Sequence, residues 1–353
     1  MTLSVPPTEP AGNPADDEVV VRDTGRGWPR LPRFRELGVL IAVVVLVLGT
    51  WLYNPLFLST QGTRDLLLGA TLLAILAVGQ SMVLITRNVD LSVGSVLGLS
   101  AYTTSVVFVA APGLPVAVVM LVGVLVGIVC GVVNGALVTA VRVPALVVTL
   151  GTLYVFRGFT HWWADGGQVN AHDMPSGFLR LGQVSVLGVP APTVIAMLVV
   201  VAAGVYLSNF RGGRDLYAIG SEPAAARLSG IPVGRRVLAA FAVNGALAGL
   251  AGVLFAARFG TVDSTVGMGL ELEVVAAAVV GGVAIFGGVG SVYGAALGAV
   301  LLTTVTSALP VLRIDQFWQQ AVVGLLILAA IGLDRLLAAR AERQTRGGRS
   351  RGA

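Results

Sequence analysis

Residues 115–141 read PVAVVMLVGVLVGIVCGVVNGALVTAV, a run of 27 residues without a charged side chain. An α-helix crosses the hydrocarbon core of a bilayer with about 20 apolar residues, so this run predicts a transmembrane helix. Similar runs recur from residue 37 to residue 338 with short polar breaks, which excludes a soluble domain on a single anchor. The strands of a membrane barrel alternate polar and apolar residues, whereas these runs are continuous. The predicted fold class is an all-α integral membrane protein.

The composition of the whole chain agrees with this fold class. Of its 353 residues, 56% are hydrophobic and 12% are charged, against about 45–50% and about 25% in soluble domains. We place about ten transmembrane helices, at residues 37–54, 66–86, 91–111, 115–141, 145–163, 191–208, 237–257, 272–287, 292–309 and 318–334.

The arginines indicate how these helices are oriented. All 23 basic residues are arginines, and with both termini in the cytoplasm 18 of them fall on the inner side. The outer side then holds the other five: Arg64, Arg157, Arg180, Arg258 and Arg313. Cytoplasmic loops of membrane proteins carry the excess of basic residues. Ten spans with both termini cytoplasmic satisfy this rule.

The two ends of the chain differ from its middle. Residues 1–36 are rich in Pro, Gly, Asp and Arg and lack periodicity, which predicts a disordered cytoplasmic tail. Residues 37–338 form the membrane domain, and residues 339–353 form a basic cytoplasmic tail. Acidic residues precede the first apolar run, so the N-terminal stretch is not typical of a signal peptide.

Several kinds of chemistry are disfavoured by the residues present. A P-loop requires a lysine on the nucleotide phosphates, and this chain contains no lysine. Cys130 is the only cysteine, and His161 and His172 are isolated, so we expect no metal site. No catalytic motif or cofactor site is found, which predicts a protein that is not an enzyme. Any ATP must therefore be bound by a partner.

Glycines recur at every fourth position in parts of the membrane domain. They form three series: Gly123, Gly127, Gly131 and Gly135; Gly290, Gly294 and Gly298; and Gly94 with Gly98. Spacing of four places each series on one helix face, where the absence of side chains lets two helices approach closely. Two interpretations remain open: static packing, or ridges along which helices slide as a pathway opens.

Polar residues at membrane depth are the first candidates for a function. Asp90, three residues after Arg87, lies between two predicted spans, where it either caps the following helix or takes part in gating or in communication with an ATPase. Asn134 and Asn244 lie within spans. They either form hydrogen bonds between helices or line a polar pathway.

Residues 209–236 form the one sizeable loop on the inner side. Ser221 is a suitable N-cap, Pro223 suits a first helical turn, and Gly230 is placed to end the helix. The pattern predicts a short helix parallel to the membrane that docks a cytoplasmic protein. The alternative is a basic loop held to anionic lipid.

Three stretches together resemble the permease subunits of bacterial ABC importers for ribose, xylose and related sugars. They are residues 86–95 (TRNVDLSVGS), the loop of residues 211–231, and residues 276–290 (AAAVVGGVAIFGGVG). Residues 85–95, 149–167 and 312–334 look most similar to the autoinducer-2 branch of that family, and rhamnose permeases look nearly as similar. The resemblance covers residues 37–338.

This resemblance implies a machine of several proteins in the plasma membrane of a bacterium. Two permeases, as a homodimer or a heterodimer, would form the pathway in the lipid bilayer, two cytoplasmic ABC ATPases would close on ATP, and an extracytoplasmic binding protein would deliver the sugar or signal; a nucleic acid is not expected as a partner. The positions that match the coupling loop of the family are Gly220, Glu222, Ala226, Arg227, Gly230 and Ile231. Those that match its first signature are Asp90, Ser92, Gly94 and Ser95.

A self-sufficient secondary carrier or channel is the alternative from another class of protein. The scarcity of ionisable groups in the predicted spans disfavours it, because ion-coupled carriers use such groups near the membrane midplane. This chain departs from the family mainly in its two tails and in residues 164–190. Contacts with a binding protein are therefore not predicted.

Overall fold

The computed structural model of the chain describes residues 31–141 and 143–315, together with residues 318, 321, 322, 324, 325 and 328. Within this part the chain forms twelve α-helices: α1 (Leu31–Tyr53), α2 (Thr60–Ile85), α3 (Val93–Ala110), α4 (Val116–Ala136), α5 (Ala145–Ala164), α6 (Ser176–Gln183), α7 (Ala191–Asn209), α8 (Arg211–Ser221), α9 (Pro223–Leu228), α10 (Val233–Phe259), α11 (Leu270–Val280) and α12 (Val292–Val311). Short 3-10 turns lie at Pro55–Leu58 and Ala171–Asp173, and a π-helical turn, Leu137–Val141, follows α4.

The predicted all-α class needs one small correction. In the described residues, strands β1 (Ser185–Val186) and β2 (Val189–Pro190) form an antiparallel hairpin. Gly188, in the turn, has a φ of 83°, a conformation that glycine adopts without a steric penalty. One further bridge joins Val169 to Val262.

Seven helices of the described part are long and apolar enough to cross a membrane. They are α1, α2, α3, α4 with its π-helical turn, α7, α10 and α12. The predicted fifth span forms α5, which is less apolar because it carries Arg157 and His161. Most of the predicted tenth span, residues 318–334, lies outside the described residues. The chain is therefore a mostly helical, multi-pass membrane protein.

The predicted eighth span, residues 272–287, is wrong as a continuous helix. Helix α11 has 11 residues and ends at Val280, and residues 281–291 are irregular. This segment contains the glycines of the sequence GGVAIFGGVG, and glycine disfavours a helix by about 1 kcal/mol relative to alanine. The apolar character of residues 272–287 therefore predicts a helix correctly only as far as Val280.

The start of α1 corrects the predicted end of the N-terminal tail. The helix begins at Leu31, so residues 31–36 of the predicted disordered tail are helical instead. Leucine, arginine and glutamate, which occur in this stretch, are good helix formers and extend the apolar helix beyond its first apolar run. Residues 1–30 and the predicted tail of residues 339–353 lie outside the described residues.

Helices α2 and α10 form the centre of the fold. Helix α10 packs against α2, α3 and α4, while α12 packs against α2 and α11. Ile75 and Leu76 of α2 and Phe241 and Leu254 of α10 are fully buried. Helix α1, in contrast, exposes most of its apolar side chains, as at Leu52 (76% exposed). Such a continuous apolar surface suits contact with lipid.

The glycine series of α4 lies against α10. A β carbon at Gly127 would meet the carbonyl oxygen of Gly245, and one at Gly135 would lie 3.0 Å from the Cα atom of Leu238. These contacts are with backbone atoms, so the missing side chains allow the two helices to approach closely. The series of Gly290, Gly294 and Gly298 is interrupted, because Gly290 precedes α12 and does not lie on its face.

Candidate functional site

Four polar side chains from distant parts of the sequence meet in the interior. The Asp90 carboxylate accepts hydrogen bonds from the Ser92 backbone nitrogen (2.9 Å), the Ser92 hydroxyl (2.7 Å) and the Asn244 side-chain amide (2.9 Å). The Asn134 amide donates to the Ser92 hydroxyl at 2.7 Å. All four residues are at most 2% exposed. We call Asp90, Ser92, Asn134 and Asn244 the buried cluster.

The buried cluster has a fifth contributor that the sequence analysis missed. Gln80 of α2 is fully buried, and its side-chain amide lies 3.2 Å from both the backbone nitrogen and the carbonyl oxygen of Asp90. The Gln80 amide therefore satisfies both backbone polar groups of Asp90, which lies in an irregular segment and has no strand or helical turn to bond them. A glutamine within an apolar span was the available signal.

The segment before α3 places the buried cluster at membrane depth. Asn244 lies near the middle of α10, and the Val89 carbonyl accepts a hydrogen bond from Thr149 in the second turn of α5 (3.2 Å). Residues 86–92 therefore run back into the helix bundle, and α3 begins inside it. Irregular backbone is tolerated at this depth only when its polar groups are satisfied by protein or water.

The other two residues of the first signature have different surroundings. Gly94 packs against the backbone of Gly267, and the Ser95 hydroxyl donates to the Ser92 carbonyl at 2.7 Å. Asp90 bonds Ser92, the N-cap of α3, whose own side chain makes no capping bond. Asp90 and Ser92 thus join Asn134 and Asn244 in one network, whereas Gly94 and Ser95 do not.

The predicted loop helix exists, but it begins one residue later than expected. Ser221 is the last residue of α8, and Glu222 caps α9 by accepting a bond from the Ala224 nitrogen (3.4 Å). Glutamate can do this because the chain turns sharply there, with Glu222 extended at a φ of −153°. Gly230 ends the helix as predicted, at a φ of 77°. The Ile231 nitrogen donates to the Ala226 carbonyl (3.1 Å), completing a Schellman motif.

Helix α9 presents most of its surface to the outside of the chain. Ala226 is buried, while Glu222, Arg227 and Leu228 are exposed, and Leu228 is 91% exposed. Leu228 follows the exposed Arg227 on this capped helix, so α9 offers an apolar and a charged side chain side by side. Of the predicted coupling positions, Gly220 and Ala226 face inward, Ile231 is half-buried, and Glu222, Arg227 and Gly230 are exposed.

The end of α8 is fastened to the end of α2 by Arg87. The Arg87 guanidinium donates from Nε to the Gly220 carbonyl (2.5 Å) and from Nη2 to the Ser221 carbonyl (2.5 Å). These carbonyls belong to the C-terminal turn of α8, where the helix dipole favours a cation. Arg87 has a φ of 64°, which turns the chain out of α2.

The glycine-rich segment of residues 281–290 completes this contact. The Gly288 nitrogen donates to the Ile85 carbonyl (2.9 Å), and the Tyr217 hydroxyl donates to the Gly290 carbonyl (3.0 Å). Gly220 is packed so closely that a β carbon would run into the Ile85 oxygen and the Gly288 nitrogen. We call Ile85, Arg87, Gly220, Ser221 and Gly288 the clasp.

An ion pair fixes α8 from its other side. The Asp215 carboxylate lies 2.8 Å from both Nε and Nη2 of Arg236 at the start of α10. Helix α9 is thus held between α8 and α10. Arg87 of the clasp precedes Asp90 of the buried cluster by three positions, so a short stretch of chain connects the contacts of α8 with the middle of the bundle.

Sequence reasoning quoted Arg87 but gave it no role. Its partners lie 133 and 134 positions away, a separation that no local pattern reveals. Gly288 was part of a quoted stretch, just after the predicted eighth span, and was given no role. The described residues contain no cluster of His, Cys, Asp and Glu that could hold a metal ion.

Seven long apolar helices in the described part, a polar cluster at membrane depth and the exposed helix α9 are consistent with the class of membrane transport proteins. Residues 62–331 match the family described as "Branched-chain amino acid transport system / permease component". The chain belongs to this family, whose members are transport permeases rather than enzymes. The family-level resemblance seen in the sequence is confirmed.

Similar proteins share most of the length of the chain. An autoinducer 2 import system permease protein LsrC from Enterobacter sp. strain 638 is 38% identical over 301 residues, which is 85% of this chain and 86% of that protein. The protein of the same name from Klebsiella pneumoniae is 37% identical over 306 residues (85% and 86%). That from Shigella flexneri is 36% identical over 314 residues (88% and 90%). No solved structure matches the chain.

Proposed function

We propose that the chain is a transmembrane permease subunit of an ABC importer that carries a small sugar-like signal of the autoinducer 2 type across a bacterial plasma membrane. The observation that carries this proposal is the similarity to autoinducer 2 import permeases over 85–88% of the chain. ATP is bound and hydrolysed by a partner, since the chain has no lysine for a P-loop and needs no cofactor of its own.

The proposed assembly follows from the family. Two permeases, identical or paired with a second kind, form the pathway; two ABC ATPases bind at the cytoplasmic face, and a binding protein delivers the solute outside. The arginine distribution supports ten spans with both termini cytoplasmic. In this orientation α9 and the clasp face the cytoplasm, and α6 and the β1–β2 hairpin lie outside.

The clasp gives α9 a mechanical role. An ATPase that binds Glu222, Arg227 and Leu228 would move α9 and the end of α8 together, because α9 follows α8 after one residue. Arg87 bonds the last turn of α8 and belongs to the segment that leads to Asp90. Closure of the ATPases would thereby reach the interface of α2, α3 and α10.

Truncation of the exposed side chains of α9 is expected to weaken this coupling. Glu222→Ala and Arg227→Ala should reduce ATP-driven uptake strongly, since truncation of a desolvated charge contact costs about 2–5 kcal/mol of binding. The measurements are co-purification with the ATPase and uptake by reconstituted complexes. Arg180→Ala is the matched control, since Arg180 is an exposed arginine of α6 in the same chain. Wild-type assembly and uptake in both α9 variants would show that α9 is only a lipid-facing linker.

The proposed orientation is tested by two alanines that are both exposed in the described chain. In a Cys130→Ser background, Ala171→Cys should react with a membrane-impermeant thiol reagent added to intact cells, and Ala225→Cys should react only after lysis. The background is needed because Cys130 is the only cysteine, although it is buried. The reverse labelling pattern would contradict the orientation.

The solute class is tested by uptake with a panel. Autoinducer 2, rhamnose, ribose and xylose should be compared with leucine, because the description of the family refers to branched-chain amino acids. We expect saturable, ATP-dependent uptake of autoinducer 2 and none of leucine. Uptake of leucine alone would replace the proposed solute by an amino acid, and uptake without the ATPase would favour a self-sufficient carrier.

A further inference from the structure

Two helices begin inside the bundle, and their amino termini meet. Helix α3 starts at Val93 and α11 starts at Leu270. The Gly94 and Gly267 backbones are in contact, and the Val266 carbonyl packs against Gly98 one turn further along α3. Interrupted helices whose amino termini converge near the membrane midplane are a common way of building a solute site in transporters.

Neither amino terminus is closed by a side-chain cap. Ser92 makes no capping bond to α3, and the N-cap of α11 is Gly269, which has no side chain. The first N–H groups of a helix have no partner within the helix, and they carry partial positive charge. The Leu270 N–H donates to the Gly267 carbonyl (3.4 Å), and the remaining N–H groups of the two first turns give the junction hydrogen-bond donors.

A buried arginine lies at the same junction. Arg157 of α5 is 8% exposed, and its Nη1 donates to the Val266 carbonyl (2.5 Å) and more weakly to the Ser264 carbonyl (3.4 Å). Nη1 is also the nearest side-chain atom to Gly98. The guanidinium has five N–H donors, and these bonds engage only the Nη1 side of it.

The acceptor at the junction is Glu271, in the first turn of α11. Its Oε2 is buried and has no hydrogen-bond partner within the described residues, and it lies beside Gly94. No contact within 4.0 Å joins Glu271 and Arg157 in the described part of the chain. A buried carboxylate oxygen without a partner is costly, and it needs a donor from elsewhere.

The loop between α10 and α11 brings the junction to the surface. Asp263 accepts two bonds from Thr265 (both 2.6 Å), and the hydroxyl bond lowers the pKa of Asp263 below its usual value. This turn holds Ser264 next to His161, with 2.8 Å between the hydroxyl and Nδ1. Thr265 and Met268 are exposed. Irregular, exposed backbone beside the membrane segments of α3 and α5 must face water or protein rather than lipid.

We propose that Arg157, Glu271 and the amino-terminal turns of α3 and α11 form a solute site for a neutral, polyhydroxylated small molecule. Arg157 and Glu271 carry opposite charges, so these two side chains together add no net charge to the junction. A hydroxyl group donates to Glu271 while another accepts from Arg157, which matches adjacent hydroxyls on one small molecule. An anion such as a sugar phosphate is repelled by Glu271, and an amine is repelled by Arg157 and by the helix termini.

This inference rests on the proposed transport function, but its first test does not require transport. In a Cys130→Ser background, Ser264→Cys should react with a charged thiol reagent in membranes, and autoinducer 2 or ribose should protect it. Val201→Cys is the control: it is 53% exposed on α7 but should remain unlabelled, because it faces lipid or protein. An unreactive Ser264→Cys would overturn the site, and labelling that no sugar of the panel slows would overturn the ligand class.

The second test separates solute binding from assembly. Glu271→Gln and Arg157→Gln should raise the KM for uptake by about ten- to a hundredfold, since each removes a hydrogen bond to a charged group. Arg157→Lys should retain part of the affinity, and Arg180→Gln should leave KM unchanged. Co-purification with the ATPase should be normal throughout. An unchanged KM in Glu271→Gln and Arg157→Gln overturns the inference. Absence of uptake by the wild-type complex contradicts the proposed function instead, and labelling at position 264 then still decides the site.

Discussion

Gly220→Ala is expected to abolish ATP-driven uptake while leaving the chain inserted in the membrane. A β carbon at this position would run into the Ile85 oxygen and the Gly288 nitrogen, which already share a hydrogen bond. Backbone atoms cannot rotate away as side chains do, so the end of α8 must move. Overpacking of this kind costs about 1–3 kcal/mol. The displacement also breaks the two bonds from Arg87, and bonds to charged groups contribute about 1.5–3 kcal/mol each.

Gly234→Ala is the matched control for Gly220→Ala. Gly234 is also a helical glycine, in the first turn of α10, and its nearest neighbour would be 3.9 Å from a new β carbon. Alanine there should be neutral or slightly stabilising, because alanine favours a helix over glycine. Uptake and ATP hydrolysis are measured for both variants in reconstituted complexes. Equal uptake by the two would mean that the clasp does not transmit the movement of α9.

Asp90→Leu is expected to cause the largest loss of stability of any single substitution in the buried cluster. It removes the acceptor of three hydrogen bonds and leaves the Ser92 and Asn244 donors buried without partners. Each unsatisfied buried group costs about 1–3 kcal/mol. Thermal unfolding of the purified chain in detergent, followed by size-exclusion chromatography, should show a much lower midpoint and little uptake. Asp90→Asn keeps the shape and one acceptor oxygen, so its loss should be smaller.

A double substitution tests whether the loss of stability at Asp90 comes from its hydrogen bond to Asn244 or from a position that tolerates no substitution. Asp90→Leu combined with Asn244→Leu removes both partners of one hydrogen bond and should be less unstable than the sum of the two single changes. The matched pair is Asp90→Leu with Ser105→Ala. Ser105 is fully buried in α3, but its hydroxyl bonds the Ala101 carbonyl instead, at 2.9 Å. Strict additivity in both pairs would contradict a bond between Asp90 and Asn244 that contributes to stability.

Some predicted features follow from the local sequence alone, whereas others depend on how distant parts of the chain pack together. Long apolar runs without charge require membrane helices whatever their neighbours are, so seven spans follow from composition and length. Gly230 had to end α9, because a glycine after a short helical pattern accepts the left-handed conformation. Gln80, Asn134 and Asn244 could be recognised as polar residues in apolar spans, but their common partner could not.

Residues close together along the chain account for the membrane class, the family, most helix positions and the short helix α9. The bond between Asp90 and Asn244, 154 positions away, and the hold of Arg87 on the end of α8 depend on the packing of the helices. The same packing is where residues 281–291 leave the helix and close the clasp. The reason is physical: local patterns report backbone propensity and burial, whereas the partner of a buried polar group is chosen by how the helices pack.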